Sequence, residues 1–217
     1  YFPPTEMQGR PDFKKVLNNV SDVYKENREK IIAQAPQMQD IFSKINQRSA
    51  VLNQSLEPFV EKIIPYLDEE YGSFKGAPKF PQFYLFDAIF YFYLKTNNQK
   101  YLTPVETLLS NISSKGIYDH LEGGIARYSV DEKWIIPHFE KMLYDNIQYI
   151  NLLTKFYQKT KKEYFKKKLI QTINFINKEF KNKENLYGSA YDADSEGIEG
   201  KYYVWSYEEL KTLLEND

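Results

Sequence analysis

The chain has 217 residues, a formal net charge of −1, no cysteine, 42% hydrophobic and 17% aromatic residues. That composition supports a packed core and excludes a disordered chain, disulfides, thiolate metal sites and a cysteine nucleophile within these residues. The near-zero charge argues against a nucleic-acid or anionic-membrane partner, and no run approaches the ~20 apolar residues of a membrane span.

The chain opens at Tyr1 without a charged-then-apolar leader and closes shortly after a Ser206/Glu209 capping box, so it reads as part of a longer protein. A cysteine-free chain fits a reducing, cytoplasmic setting. The first expected helix runs from about Asp12 to Ala33, on a stripe of Phe13, Val16, Val20, Tyr24 and Ile31. Phe59, Ile63 and Leu67 form a second pattern, which Pro65 should kink or break. "GSFKGAPKFPQ" (72–82) reads as a rigid loop before Phe83–Leu94, which is apolar nearly all round and so expected to be buried on every side. Thr103-Pro104-Val105-Glu106 predicts a helix opening there and running to about Ser114.

Two further helices differ in kind. Lys161–Phe180 carries one stripe, Phe165, Leu169, Ile173, Ile176 and Phe180, with lysines opposite, as an outer helix does. Phe139–Tyr157 has a main apolar face of Phe139, Leu143, Ile147 and Ile150. Its second face mixes Met142, Tyr149 and Leu152 with ionisable groups and is expected to line a cavity. Alternating buried and one-sided helices predict a mainly α fold of antiparallel helical hairpins. No repeat of fixed length is present.

The scarce residue types gather in one place. Of four arginines among 25 lysines, Arg127 is the only one after Arg48, and it lies close to both histidines, His120 and His138, and to Trp134. The 22-residue connection Gly116–Pro137 is long for a structureless loop, which favours function, and "IARYSVDEKWII" within it reads as a hairpin turning at Asp131-Glu132. A helix starting at Pro137 would set His138, Lys141 and Asp145 on one face, with Glu140 and Tyr144 paired on the next strip. Arg in a lysine-rich chain points to a need for the guanidinium fork, either to bind substrate or to hold the loop against Asp131, Asp145 or Asp192. Imidazole titrates near neutrality, so His120 and His138 are the candidate general acid and base. "YDADSEGIEGKYYVW" (191–205) packs Asp192, Asp194, Glu196 and Glu199 together. It opens like a calcium-binding loop but has Tyr203 where the closing Glu is needed, so no metal is assigned. Carboxylates at a pocket rim instead suit sugar hydroxyls or partner a histidine.

Three stretches, "GAPKFP", "GIYDHLEGGIARYSVDEKWIIPHFEKMLYDN" and "YDADSEGIEGKYYVW", resemble the thioredoxin-domain-containing family related to spermatogenesis-associated protein 20. Glu122 departs from that pattern, standing where the family continues a glycine run. The resemblance implies that residues 1–34 are the C-terminal tail of a thioredoxin-like domain. Residues 35–217 would be the first part of an (α/α)6 toroid of the six-hairpin glycosidase/epimerase-like kind, similar to N-acylglucosamine 2-epimerases. By that analogy the pocket serves carbohydrate metabolism and takes a small, sugar-like ligand, without a cofactor.

Two functions follow as expectations. In the first, an epimerase-, isomerase- or glycosidase-like enzyme uses His120, His138, Asp192 and Asp194 catalytically. Its substrate is then held by Arg127, Tyr128, Trp134, Glu140, Lys141, Tyr144 and Asp145. In the second, a non-catalytic ligand-binding or regulatory module supports the upstream redox domain.

Overall fold

A computed structural model of the chain describes residues 2–7, 9–46 and 56–214. By its internal contacts the chain divides into two units, Tyr1–Gln54 and Ser55–Asp217. The second helix runs unbroken through the expected 34/35 boundary.

The first unit holds α1 (Phe13–Glu26) and α2 (Arg28–Asn46). Asp12 starts α1 by accepting the Lys15 N–H at 2.8 Å, a cap that contributes about 1 kcal/mol. The single helix expected to Ala33 is thus two, parted at Asn27. Its apolar stripe stays open, with Phe13, Val20 and Tyr24 all exposed.

The second unit is helical hairpins joined by short strand pairs. Helix α3 (Glu57–Ile63) gives way to a 3-10 turn, Ile64–Tyr66, where Pro65 breaks the ladder as expected. Helices α4 (Phe83–Thr96) and α5 (Gln99–Ser114) pack together, as do α6 (Leu143–Thr160) and α7 (Glu163–Phe175). Contacts of α4 with α6 join the two hairpins. The core between them includes Phe86, Ile89 and Phe90 of α4, Leu108 and Ile112 of α5, and Leu153 and Phe156 of α6, all fully enclosed. Burying such side chains is worth roughly 1.5–3 kcal/mol each. The strands β1 (Tyr128–Ser129), β2 (Pro137–His138), β3 (Lys141–Met142), β4 (Ala190–Tyr191), β5 (Asp194–Ser195) and β6 (Ile198–Glu199) form three two-stranded antiparallel pairs, so no larger sheet competes with the helices among the described residues. Helix α8 (Tyr207–Leu214) opens on the expected capping box, with Ser206 N–H donating to Glu209 Oε2 at 2.7 Å and Glu209 N–H to Ser206 Oγ at 3.2 Å.

Several expectations are corrected. Helix α5 starts at Gln99 behind an Asn98 cap, and Pro104 lies within it. Helix α4 is well buried, and more so than α7, but Tyr84, Tyr91 and Leu94 keep one strip open. The buried face of α6 is Asn146, Tyr149, Leu152, Leu153 and Phe156. The face expected to dominate leaves Ile147 exposed and sets Leu143 and Ile150 on a small cluster of Phe175, Ile176 and Phe180. The α7 pattern ends in one wide turn, Ile176–Phe180.

Candidate active-site cleft

The long connection is pinned from several sides. Asp131 closes the β1–β2 turn, accepting from the Ser129 hydroxyl at 2.8 Å and from the Lys133, Ile135 and Ile136 N–H groups. Asn146, fully enclosed, binds both polar groups of the Ile125 backbone, at 2.8 and 3.1 Å, and the Met142 carbonyl at 2.9 Å. Gly124 sits at φ +81°, where a Cβ would fall 2.5 Å from the Phe175 ring; only glycine allows that approach. Lys79 and Ser129 exchange backbone hydrogen bonds at 2.8 and 2.9 Å, tying the "GAPKFP" loop to β1.

These ties bring four of the expected site residues, Arg127, Tyr128, His138 and Glu140, into one network. Tyr128 pairs with His138 across β1–β2. Its ring stacks on His138 and on Phe80, with centroids 4.7 Å apart in each case. Arg127 N–H donates to the Glu140 carbonyl at 2.8 Å, and its guanidinium meets the Glu140 carboxylate at 2.9 Å. Glu140 Oε2 lies 3.9 Å from His138 Nε2, and the other imidazole nitrogen bonds Glu199 at 2.7 Å. Pro137–His138 and Lys141–Met142 are strands rather than helix because β2 closes the hairpin with β1 and β3 pairs with β4, about 50 residues on. His138, Lys141 and Asp145 therefore do not share a helical face, and Arg127 takes Glu140 rather than Asp131, Asp145 or Asp192.

Beside this network opens a cleft of about 230 Å³, lined by Phe80, Gln82, Tyr84, Arg127, Tyr144, Asp145 and Gln148, among others. Three aromatic rings at the cleft are open: Phe80 is 38%, Tyr84 70% and Tyr144 46% exposed. Glu140 holds the Arg127 pKa above its ordinary value, chiefly by hydrogen bonding. Asp145 differs in kind. Burial raises its pKa to about 7, with Glu140 adding to the rise and Arg127 opposing it. Its Oδ2 is enclosed and accepts no hydrogen bond within the described residues.

The remaining expected residues lie elsewhere, and the one concavity expected to hold His120, Arg127, His138 and at least one of Asp192 and Asp194 is not formed: Arg127 lines one, the two aspartates a second and His120 a third. Lys141, Asp192 and Asp194 line a separate concavity of about 330 Å³ with Asp119, Phe175, Tyr202 and Tyr203. Here Lys141 Nζ bonds Asp119 at 2.8 Å and the Gly123 carbonyl at 3.1 Å, and lies over the Phe175 and Tyr203 rings. Burial raises the Tyr203 phenol to about 12. His120 lines a third concavity, its ring nitrogens facing the Lys115 carbonyl at 3.0 Å and Lys168 Nζ at 3.3 Å. The two histidines thus have no concavity in common. Trp134 contacts no open space. It is fully enclosed, its indole N–H donating to the Tyr71 carbonyl at 2.7 Å, so its scarcity reflects a core role.

Sequence reasoning missed Gln82, Tyr84, Gln148 and Asp119. The aromatic run 83–94 hid Tyr84, since every residue in it looked buried. A carboxylate beside a glycine turn, such as Asp119, gives no sign that it will meet a lysine 22 positions away.

No family model matches the chain. Over 99% of its length the chain is similar to spermatogenesis-associated protein 20 of Mus musculus, at 30% identity, and spans 29% of that protein. Its fold is similar to that of cellobiose 2-epimerase from Spirochaeta thermophila DSM 6192, at TM-score 0.53 and 16% identity, over 73% of this chain and 41% of that one. A sugar epimerase from a ruminal bacterium is similar at TM-score 0.50 and 17% identity, over 72% of this chain and 44% of that one. The hairpins are thus part of an α/α toroid of the kind seen in those six-hairpin proteins. Among the described residues no helix is long and apolar enough to cross a membrane.

Proposed function

We propose that the chain carries the active-site cleft of a carbohydrate-active enzyme, epimerase-, isomerase- or glycosidase-like, attached to a thioredoxin-like domain of the longer protein. The observation that carries this reading is the cleft's combination of groups. Phe80, Tyr84 and Tyr144 offer flat apolar edges for the C–H face of a sugar ring, while Gln82, Gln148, Arg127 and Asp145 offer donors and acceptors for its hydroxyls. The fold likeness to sugar epimerases supports it at the level of architecture. Arg127, Tyr144 and Asp145 meet the substrate. Glu140, His138 and Tyr128 are positioning residues that hold the guanidinium. Lys141, Asp192 and Asp194 supply a second polar and aromatic surface.

The test is a panel of mono- and disaccharides, titrated and assayed for turnover with the full-length protein. Arg127→Ala and Tyr84→Ala are expected to weaken binding at least about tenfold, roughly the loss of one good polar or aromatic contact. His120→Ala, outside the cleft, should leave binding intact. Turnover that fails in His120→Ala yet survives in Arg127→Ala would move the active site elsewhere. Sugars that bind but never react would favour the non-catalytic ligand-binding module.

A further inference from the structure

Resting on the carbohydrate reading, we propose that Asp145 is the catalytic residue that moves the proton, and that the reaction is a 1,2-aldose–ketose isomerisation. Three features of the cleft converge on this. Among its described lining residues Asp145 is the one carboxyl group. Its Oδ2 is enclosed and has no hydrogen-bond partner among the described residues, a costly arrangement for an ionised oxygen that a proton would relieve. Arg127 lies on the same cleft wall, anchored by Glu140 and still 40% exposed, and supplies fixed positive charge where an enediolate oxygen needs it.

The charged and titratable groups around Asp145 are few. Arg127 and Glu140 come from the β1–β3 segment, Tyr144 from its own helix and Tyr84 from α4. Burial is the largest influence among them and brings the carboxyl to about 7, poised to give or take a proton at neutral pH.

The step needs one group. Carboxylate Asp145 takes the C2 proton of an open-chain aldose. The C–H electron pair becomes the second bond between C1 and C2, and the carbonyl pair moves onto O1. Asp145 then returns the proton to C1 while the O2 proton passes to O1, giving the 2-ketose with atoms and charge balanced. Epimerisation at C2 would need a second group to return the proton on the opposite face, whereas return of the same proton to C1 needs Asp145 alone, the one carboxyl among the described lining residues.

The test uses the full-length protein and its Asp145→Asn variant, which keeps the shape of the protonated acid. With aldoses, the wild type should form the 2-ketose, and the variant should lose at least about 100-fold in rate while binding sugar within a few-fold. Equal rates in both would overturn the role of Asp145 and leave the carbohydrate reading standing. A 2-epimer in place of the ketose would overturn the reaction type. If no sugar binds or reacts, the carbohydrate reading falls, and the infrared difference between wild type and variant still decides the proton role. A protonated-carboxyl C=O band that disappears as pH rises through about 7 supports it, and a band lost near pH 4 overturns it.

Discussion

Asp119→Ala is expected to destabilise the second unit by about 3–5 kcal/mol, the usual cost of stranding a buried charge. Asp119 and Lys141 have side chains 14% and 4% exposed and meet at 2.8 Å. Their ionisation responds in different ways. For Asp119, burial pushes the pKa up, but the Lys141 hydrogen bond and charge overcome this and hold it below the usual range. For Lys141, burial pushes the pKa down by more than Asp119 restores. The lysine is thus the member that cannot tolerate loss of its partner. Asp119 also accepts the Leu121 and Glu122 N–H groups, at 2.9 and 3.0 Å, so the variant unties the glycine turn as well. Chemical unfolding measures the effect. Asp119→Ala combined with Lys141→Met should be less destabilising than Asp119→Ala alone, because no buried charge remains. A single variant within about 1 kcal/mol of wild type would contradict the assignment.

Asp145→Asn is expected to stabilise the protein above neutral pH and to have little effect near pH 4. Burial holds the folded carboxyl at about 7, against 3.8 for an ordinary aspartate, so the folded state binds the proton more tightly than the unfolded one. Stability from this group is therefore fully present below the unfolded value. It falls as pH rises between the two values and is lost above the folded one. The shift sets a ceiling of about 4 kcal/mol. Partial solvent access reduces the expected gain to about 1–2 kcal/mol at pH 8. Unfolding at pH 5 and pH 8 checks the sign, and a pH-independent difference would contradict it. A residue whose removal stabilises the fold while abolishing activity is what a strained functional group should look like.

Local chemistry made much of the fold legible. The Pro65 break, the Ser206/Glu209 box and the one-sided α7 all rest on residues within a few positions of each other, where sequence carries the physics directly. The hairpin at Asp131 was legible for the same reason. The start of α6 was not, because Pro137–Met142 is drawn into strands by Tyr128 and Tyr191, and pairing with a residue 50 positions away leaves no local mark. Scarcity proved a mixed guide to the site. It pointed correctly to Arg127 and His138 as neighbours. It also pointed to Trp134, which is scarce because a large indole fills the core, and to His120, which faces a different concavity. Tyr84 and Gln82 carried no such flag, since tyrosine and glutamine are common here and they reach the cleft through the loop before α4, which Lys79 and Phe80 tie to β1.

The most direct test of the carbohydrate cleft is a crystal structure of the full-length protein with a bound saccharide. The sugar ring should lie against Phe80, Tyr84 or Tyr144, with hydroxyl oxygens about 3 Å from Arg127 and Asp145. A saccharide seated instead between Lys141 and Tyr203, with the Arg127 cleft vacant, would contradict it.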